Sequence, residues 1–127
     1  MHIVKIDTQN NRLYLTLSGV ISVPEAMKIR DEIYKGVESL KPGFDVINDL
    51  SKYIHADEKG AQHLQEVTRF FIEKNVGRIV RVVGQSKTGL MQFAKYSQLI
   101  ETINIKYVPT MEEAEAFIAA PSDENKE

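Results

Sequence analysis

The sequence predicts an α/β sandwich: a mixed β-sheet, mainly parallel with an N-terminal antiparallel hairpin, and about four helices. Two observations carry that expectation. Short apolar runs alternate with longer segments whose apolar residues recur every three or four positions, and strands joined through helices of that length lie parallel. The first two apolar runs, by contrast, are separated by only Gln9-Asn10-Asn11, which suits a hairpin and is too short for a crossover.

Taken in order, His2 to Asp7 and Arg12 to Ser18 form that hairpin, with Leu13, Leu15 and Leu17 alternating along the second strand. Ser22-Val23-Pro24-Glu25 has capping-box spacing with proline in the first turn, and Ala26, Ile29, Ile33, Val37 and Leu40 follow at helical intervals, which predicts a helix over 23–40. Lys41-Pro42-Gly43 stops it, and residues 44–50 (FDVINDL) read as a central strand. A second helix starts at Asp57, carries Gly60, Leu64, Val67 and Phe71 on one row, and ends near Asn75-Val76-Gly77. Residues 78–84 (RIVRVVG) read as a buried strand, Leu90, Phe93, Ala94, Ser97 and Ile100 as a third helical stripe, and 105–108 as a last strand. Thr110-Met111-Glu112-Glu113 is a second capping box that opens the closing helix through Ala114, Phe117 and Ile118.

With 127 residues of which 43% are hydrophobic, one domain over 1–120 suffices, and the tail 121–127 (PSDENKE) has nothing to pack. A net charge of −2 offers no global attraction to nucleic acid or to an anionic membrane. The absence of cysteine excludes disulfides, thiolate catalysis and zinc sites with cysteine ligands. No apolar run reaches the roughly 18 residues of a membrane span, and the start MHIVKIDTQNN is too polar for a signal sequence, so a cytoplasmic protein is expected.

The densest cluster of titratable side chains is DLSKYIHADEKG, residues 49–60. It lies at the carboxyl end of a predicted strand, where open α/β sheets customarily hold ligands and partners. His55, Asp57 and Glu58 invite an acid-base or metal reading, with His63 a turn or so further on. The spacing matches no recognised ligand pattern, and no third ligand is evident, so no metal and no cofactor are expected. Asp57 has a structural explanation as an N-cap whose carboxylate accepts a backbone N–H, and Glu58 gains from the positive end of the helix dipole. Ser51, Ser86 and Ser97 lack a nucleophile elbow, and Gly84 to Gly89 lacks the lysine of a phosphate-binding loop because Leu90 stands in its place. Catalysis by His55 with Asp57 or Glu58 is the weakest of the functional classes.

From about residue 12 to 118 the chain resembles the STAS domains, the family of the sporulation anti-sigma factor antagonists and of broader bacterial STAS/SEC14-like proteins. The likeness rests on Val46-Ile47-Asn48-Asp49-Leu50-Ser51, on Asp57-Glu58-Lys59-Gly60 where the antagonists carry Asp-Ser-Ser-Gly, and on Arg78 to Gly84 followed by Tyr107 to Ala114. The resemblance implies a non-enzymatic module that docks a protein, such as an anti-sigma factor or another regulator. In the family the second serine of that motif is phosphorylated by a partner kinase. Lys59 occupies its position here and Glu58 the preceding one, so no hydroxyl is available at that point.

Ser51, His55, Asp57, Glu58, Lys59, Gln62, His63, Glu66 and Phe70 are therefore the expected partner-binding residues, with Gln65, Arg69 and Glu73 completing a polar rim around Phe70. The same residues also fit a plain solvated helix face. In the second class, a small-molecule or lipid-binding module, Met91 and Phe93 would line a pocket beneath the third helical stripe; an apolar cavity would favour that class, a solid core with an exposed apolar patch would favour protein docking. A homodimer is compatible with either.

Overall fold

In the computed structural model, which describes residues 1–84 and 105–119, the alternation of Leu13, Leu15 and Leu17 becomes the buried face of a long strand. β1 (His2–Asp7) and β2 (Arg12–Ile21) pair antiparallel from His2↔Leu17 to Asp7↔Arg12. The turn between them ends on Asn11 at φ 54°, a left-handed conformation that asparagine tolerates better than most residues. There follow α1 (Val23–Val37), β3 (Asp45–Ala56), α2 (Glu58–Glu73), β4 (Ile79–Val82), β5 (Ile105–Val108) and α3 (Met111–Ala119). β2 to β5 are parallel, and the sheet order is β1-β2-β3-β4-β5.

That order explains the layers. The crossovers β2-α1-β3 and β3-α2-β4 advance in the same direction, and right-handed connections then place both helices on one face. The larger core lies between that face and α1/α2: Leu13, Leu15, Leu17, Val46, Leu50 and Ile79 meet Ile29, Ile33, Leu64 and Phe71. On the other face Ile47, Val80 and Val82 pack against Ala114 and Ile118 of α3. The strands 44–50 and 78–84 are adjacent and parallel as expected, paired Val46↔Ile79 through Asp49↔Val82, with Val46, Ile47, Val80 and Val82 buried at the centre.

Some boundaries differ from the sequence expectation. α1 stops at Val37 because the next three amides turn to carbonyls three residues back, Glu38 to Lys35, Ser39 to Gly36 and Leu40 to Val37 at 3.0–3.2 Å, which tightens and ends the helix. β3 continues six residues beyond Leu50, since β2 extends to Ile21 and supplies partners: Ser18↔Lys52, Gly19↔Tyr53, Val20↔His55 and Ile21↔Ala56. Three helices are present among the described residues. The stripe 90–100, with Met91 and Phe93, and the tail 121–127 lie outside the described residues.

Candidate functional site

Because β3 runs to Ala56 and α2 begins at Glu58, DLSKYIHADEKG is not a loop. It is the end of a central strand, one connecting residue and the first turn of a helix. Asp57 holds the N-cap position, and its backbone carbonyl accepts the Ala61 N–H at 2.7 Å, but its carboxylate makes no capping hydrogen bond, contrary to the sequence expectation. Its φ of −57° and ψ of 157° satisfy the entry geometry without the side chain. Gly60 and Ala61 are buried: an added Cβ on Gly60 would sit 3.7 Å from the Cβ atoms of both Ala26 and Ala56. The first turn of α2 is thus pressed onto α1 and the strand end, which leaves Asp57, Glu58, Lys59 and Gln62 exposed at the positive end of the helix.

The remaining expected residues separate. His55 is exposed on β3. Ser51 is half-buried, with its hydroxyl donating to Asp49 Oδ1 at 2.7 Å and its amide to the same oxygen at 3.0 Å. His63 turns towards α1, where Arg30 donates from Nη1 to His63 Nδ1 at 3.1 Å, and Glu66 Oε2 lies 3.8 Å from His63 Nδ1 and 3.9 Å from Arg30 Nη1. Phe70 is half-buried against Tyr34, ring centroids 4.3 Å apart. At 1.5 Å per residue Phe70 is about 16 Å along α2 from Lys59, so it does not centre a rim that includes the first turn. No three His, Asp or Glu side chains among the described residues are grouped closely enough to hold a metal ion.

Two residues that the sequence reasoning passed over stand at the same end of the sheet. Val20 and Ile54 are 59% and 56% exposed, and Val20 pairs with His55. At each of two register shifts, opposite Thr16–Ser18 and Gly19–Val20, β3 carries one extra residue, so Ile54 emerges where strict period two from Val46 and Leu50 would bury it, while Val20 keeps the outward phase of the alternation Leu13, Leu15, Leu17, Ile21. The visible signal was Gly19 within a strand pattern, here at φ 68°. Among the described residues, a space of ≈ 10 Å³ lies between α2 and the sheet beside Asn48, Thr68 and Arg81, about enough for one water molecule. The described strands show no reversal of strand order, the arrangement that opens a ligand crevice in other α/β sheets.

A five-stranded sheet antiparallel only at its first pair, with α1 and α2 on one face and α3 on the other, is the arrangement of the STAS-like α/β modules, and the chain has that fold. No family model matches the sequence, and no curated protein does. Solved structures match over nearly the whole chain. The anti-sigma factor antagonist SpoIIAA in its unphosphorylated form is similar with a TM-score of 0.65 at 12% identity, covering 92% of this chain and 96% of that one. SpoIIAA of Bacillus, a cell fate determinant, in its phosphorylated form gives 0.64 at 13% identity over 93% and 99%. A protein of the DUF3478 family from Shewanella loihica PV-4 with a SpoIIAA-like fold gives 0.70 at 9% identity over 94% and 93%.

Proposed function

We propose that this chain is a non-enzymatic regulatory module that docks a partner protein through the carboxyl end of its sheet, without a serine phosphoswitch at α2. The observation that carries the reading is the exposure of apolar Val20 and Ile54 at the end of the sheet that also carries the charged first turn Asp57-Glu58-Lys59. Exposed apolar side chains among charged ones suit a protein partner, and the similarity to an anti-sigma factor antagonist makes a regulator such as an anti-sigma factor the natural candidate. Glu58 contributes one fixed negative charge, short of the roughly −1.5 to −2 of a phosphoserine, and Lys59 offsets part of it. Docking is then constitutive.

The test begins with affinity capture and identification of the partner, followed by calorimetry with the purified pair. Ile54→Asp is expected to weaken binding at least tenfold, since it places a charge in the apolar centre of the interface. Glu58→Ser with Lys59→Ser should alter affinity while leaving the thermal melt nearly unchanged, because both side chains are exposed. Unaltered affinity in both variants would show that this end of the sheet is only a helix start.

A further inference from the structure

At the other end of the sheet, an open groove of ≈ 390 Å³ lies between the C-terminal turns of α1 and α2. Val37 and Phe44 are its most deeply buried residues, at 6% and 1% exposure, and the half-exposed pair Tyr34–Phe70 forms an aromatic wall. The opposite side is the turn 40–43, which is already fixed. The Lys41 amide donates to Asn11 Oδ1 at 2.8 Å, the Lys41 carbonyl accepts from Asn11 Nδ2 at 3.1 Å, and the Gly43 amide donates to the Asn75 carbonyl at 2.7 Å. Both walls are therefore held by the fold itself, and little ordering remains for a ligand to induce.

Of the charged residues that line the groove two are basic, Lys41 and Lys74, and one is acidic, Glu38; around the aromatic wall Glu66, Glu73 and Asp31 act on Tyr34 against Arg30, so the positive excess belongs to the lining at Lys41 and Lys74. Lys74 Nζ stands 5.7 Å from the centre of the Phe70 ring, which places a cation beside the aromatic wall. The volume is at the low end of the roughly 300–1,000 Å³ of ligand sites, which sets the size of an occupant at one or two fused rings. A neutral apolar molecule would use only the walls, and a cation would meet two ammonium groups. A flat apolar body with one anionic group uses both features.

We propose that this groove binds a small organic anion of that class, an aromatic or compact apolar carboxylate, with its body against Tyr34 and Phe70 and its carboxylate at the Lys41–Lys74 rim. This site is independent of the docking surface at the far end of the sheet. The probe is 2-naphthoate, with 2-naphthamide as its neutral counterpart, titrated into the whole 15N-labelled chain and followed by amide chemical shifts. Saturating shifts are expected at Tyr34, Leu40, Phe70 and Lys74, with naphthoate binding about 3- to 10-fold tighter than naphthamide in low salt, as two exposed ion pairs allow. Lys41→Glu with Lys74→Glu should abolish that preference while naphthamide binding persists, and Phe70→Leu should weaken both probes. The variants' own amide spectra report whether each remains folded. Absence of saturable shifts up to millimolar probe, shifts centred elsewhere, equal affinity for the two probes in the parent chain, or a preference that survives both charge reversals would each overturn the assignment.

Discussion

His2 is held between two carboxylates, with Nδ1 2.8 Å from Glu25 Oε2 and Nε2 2.9 Å from Glu32 Oε2. Burial by itself pulls the imidazole pKa down, but the hydrogen bonds and charges of Glu25 and Glu32 outweigh it, and the pKa is raised above 6.5. A raised native value means that the stabilisation is present in full below the unfolded pKa and is lost as pH rises through the native one. His2→Gln should therefore lower the denaturant midpoint most at about pH 5.5, with the difference shrinking towards pH 9; a constant difference would contradict the imidazolium clasp. Glycine gives a second test at this scale. Gly60→Ala adds a methyl into ordinary contact, 3.7 Å from Ala26 Cβ and Ala56 Cβ, inside a helix, and should stabilise by about 0.5 kcal/mol. Gly77→Ala drives its Cβ to 2.5 Å from the Gly43 carbonyl oxygen and 2.9 Å from Asp45 Oδ1, and should cost on the order of 1–3 kcal/mol in the same denaturant melts.

Among elements, the helix starts show how far local sequence signals reach. Ser22 and Thr110 were legible as caps and act as such, accepting the Glu25 and Glu113 amides at 3.2 Å each. Asp57 carried an equally good cap signal, yet its carboxylate makes no such bond, because the connection from β3 leaves it pointing to solvent. Ser22→Ala is expected to cost about 1 kcal/mol and Asp57→Ala only a few tenths, a contrast that urea unfolding of the two variants measures directly. Strand ends were less legible than helix starts. Residues 51–56 (SKYIHA) mix strand formers such as Tyr53 and Ile54 with polar residues just ahead of the helix start at Asp57, and it is the length of β2 that gives them a partner, a pairing that is a tertiary fact. For the same reason the candidate site was only partly readable: Glu58, Lys59 and Gln62 emerged together from one helix turn, whereas Val20 joins them through β-bulges between residues far apart in the chain.

On the scale of the whole molecule, the antiparallel opening hairpin and the adjacent parallel strands 44–50 and 78–84 followed from the alternation of strand and helix, whereas the full strand order and the burial of Arg81 did not. A charge in a strand pattern suggests solvent, but both faces of β4 are covered, so Arg81 is 2% exposed and donates from Nη1 to Tyr107 Oη at 3.0 Å. Arg78 has a different task, which is to fasten the end of α3 to the sheet. Its Nη2 lies 3.2 Å from Asp45 Oδ2 at the start of β3 and donates to the Ile118 carbonyl at 2.9 Å, Nη1 reaches the Phe117 carbonyl at 3.4 Å, and the guanidinium lies 5.8 Å from the centre of the Phe117 ring. One planar group thus serves the carbonyls at the end of α3 and a strand carboxylate together, a geometry that a lysine ammonium cannot reproduce. α3 is the shortest helix described, with Ala114 and Ile118 as its buried residues, and so it depends more on this clasp than α1 or α2 does. Arg78→Ala should cost about 1–3 kcal/mol and Arg78→Lys should recover only part of that. Hydrogen exchange gives the sharper readout: in Arg78→Ala the amides of α3 should lose protection before those of α1 and α2, whereas uniform loss across all three would mean that Arg78 stabilises the sheet without holding the helix to it.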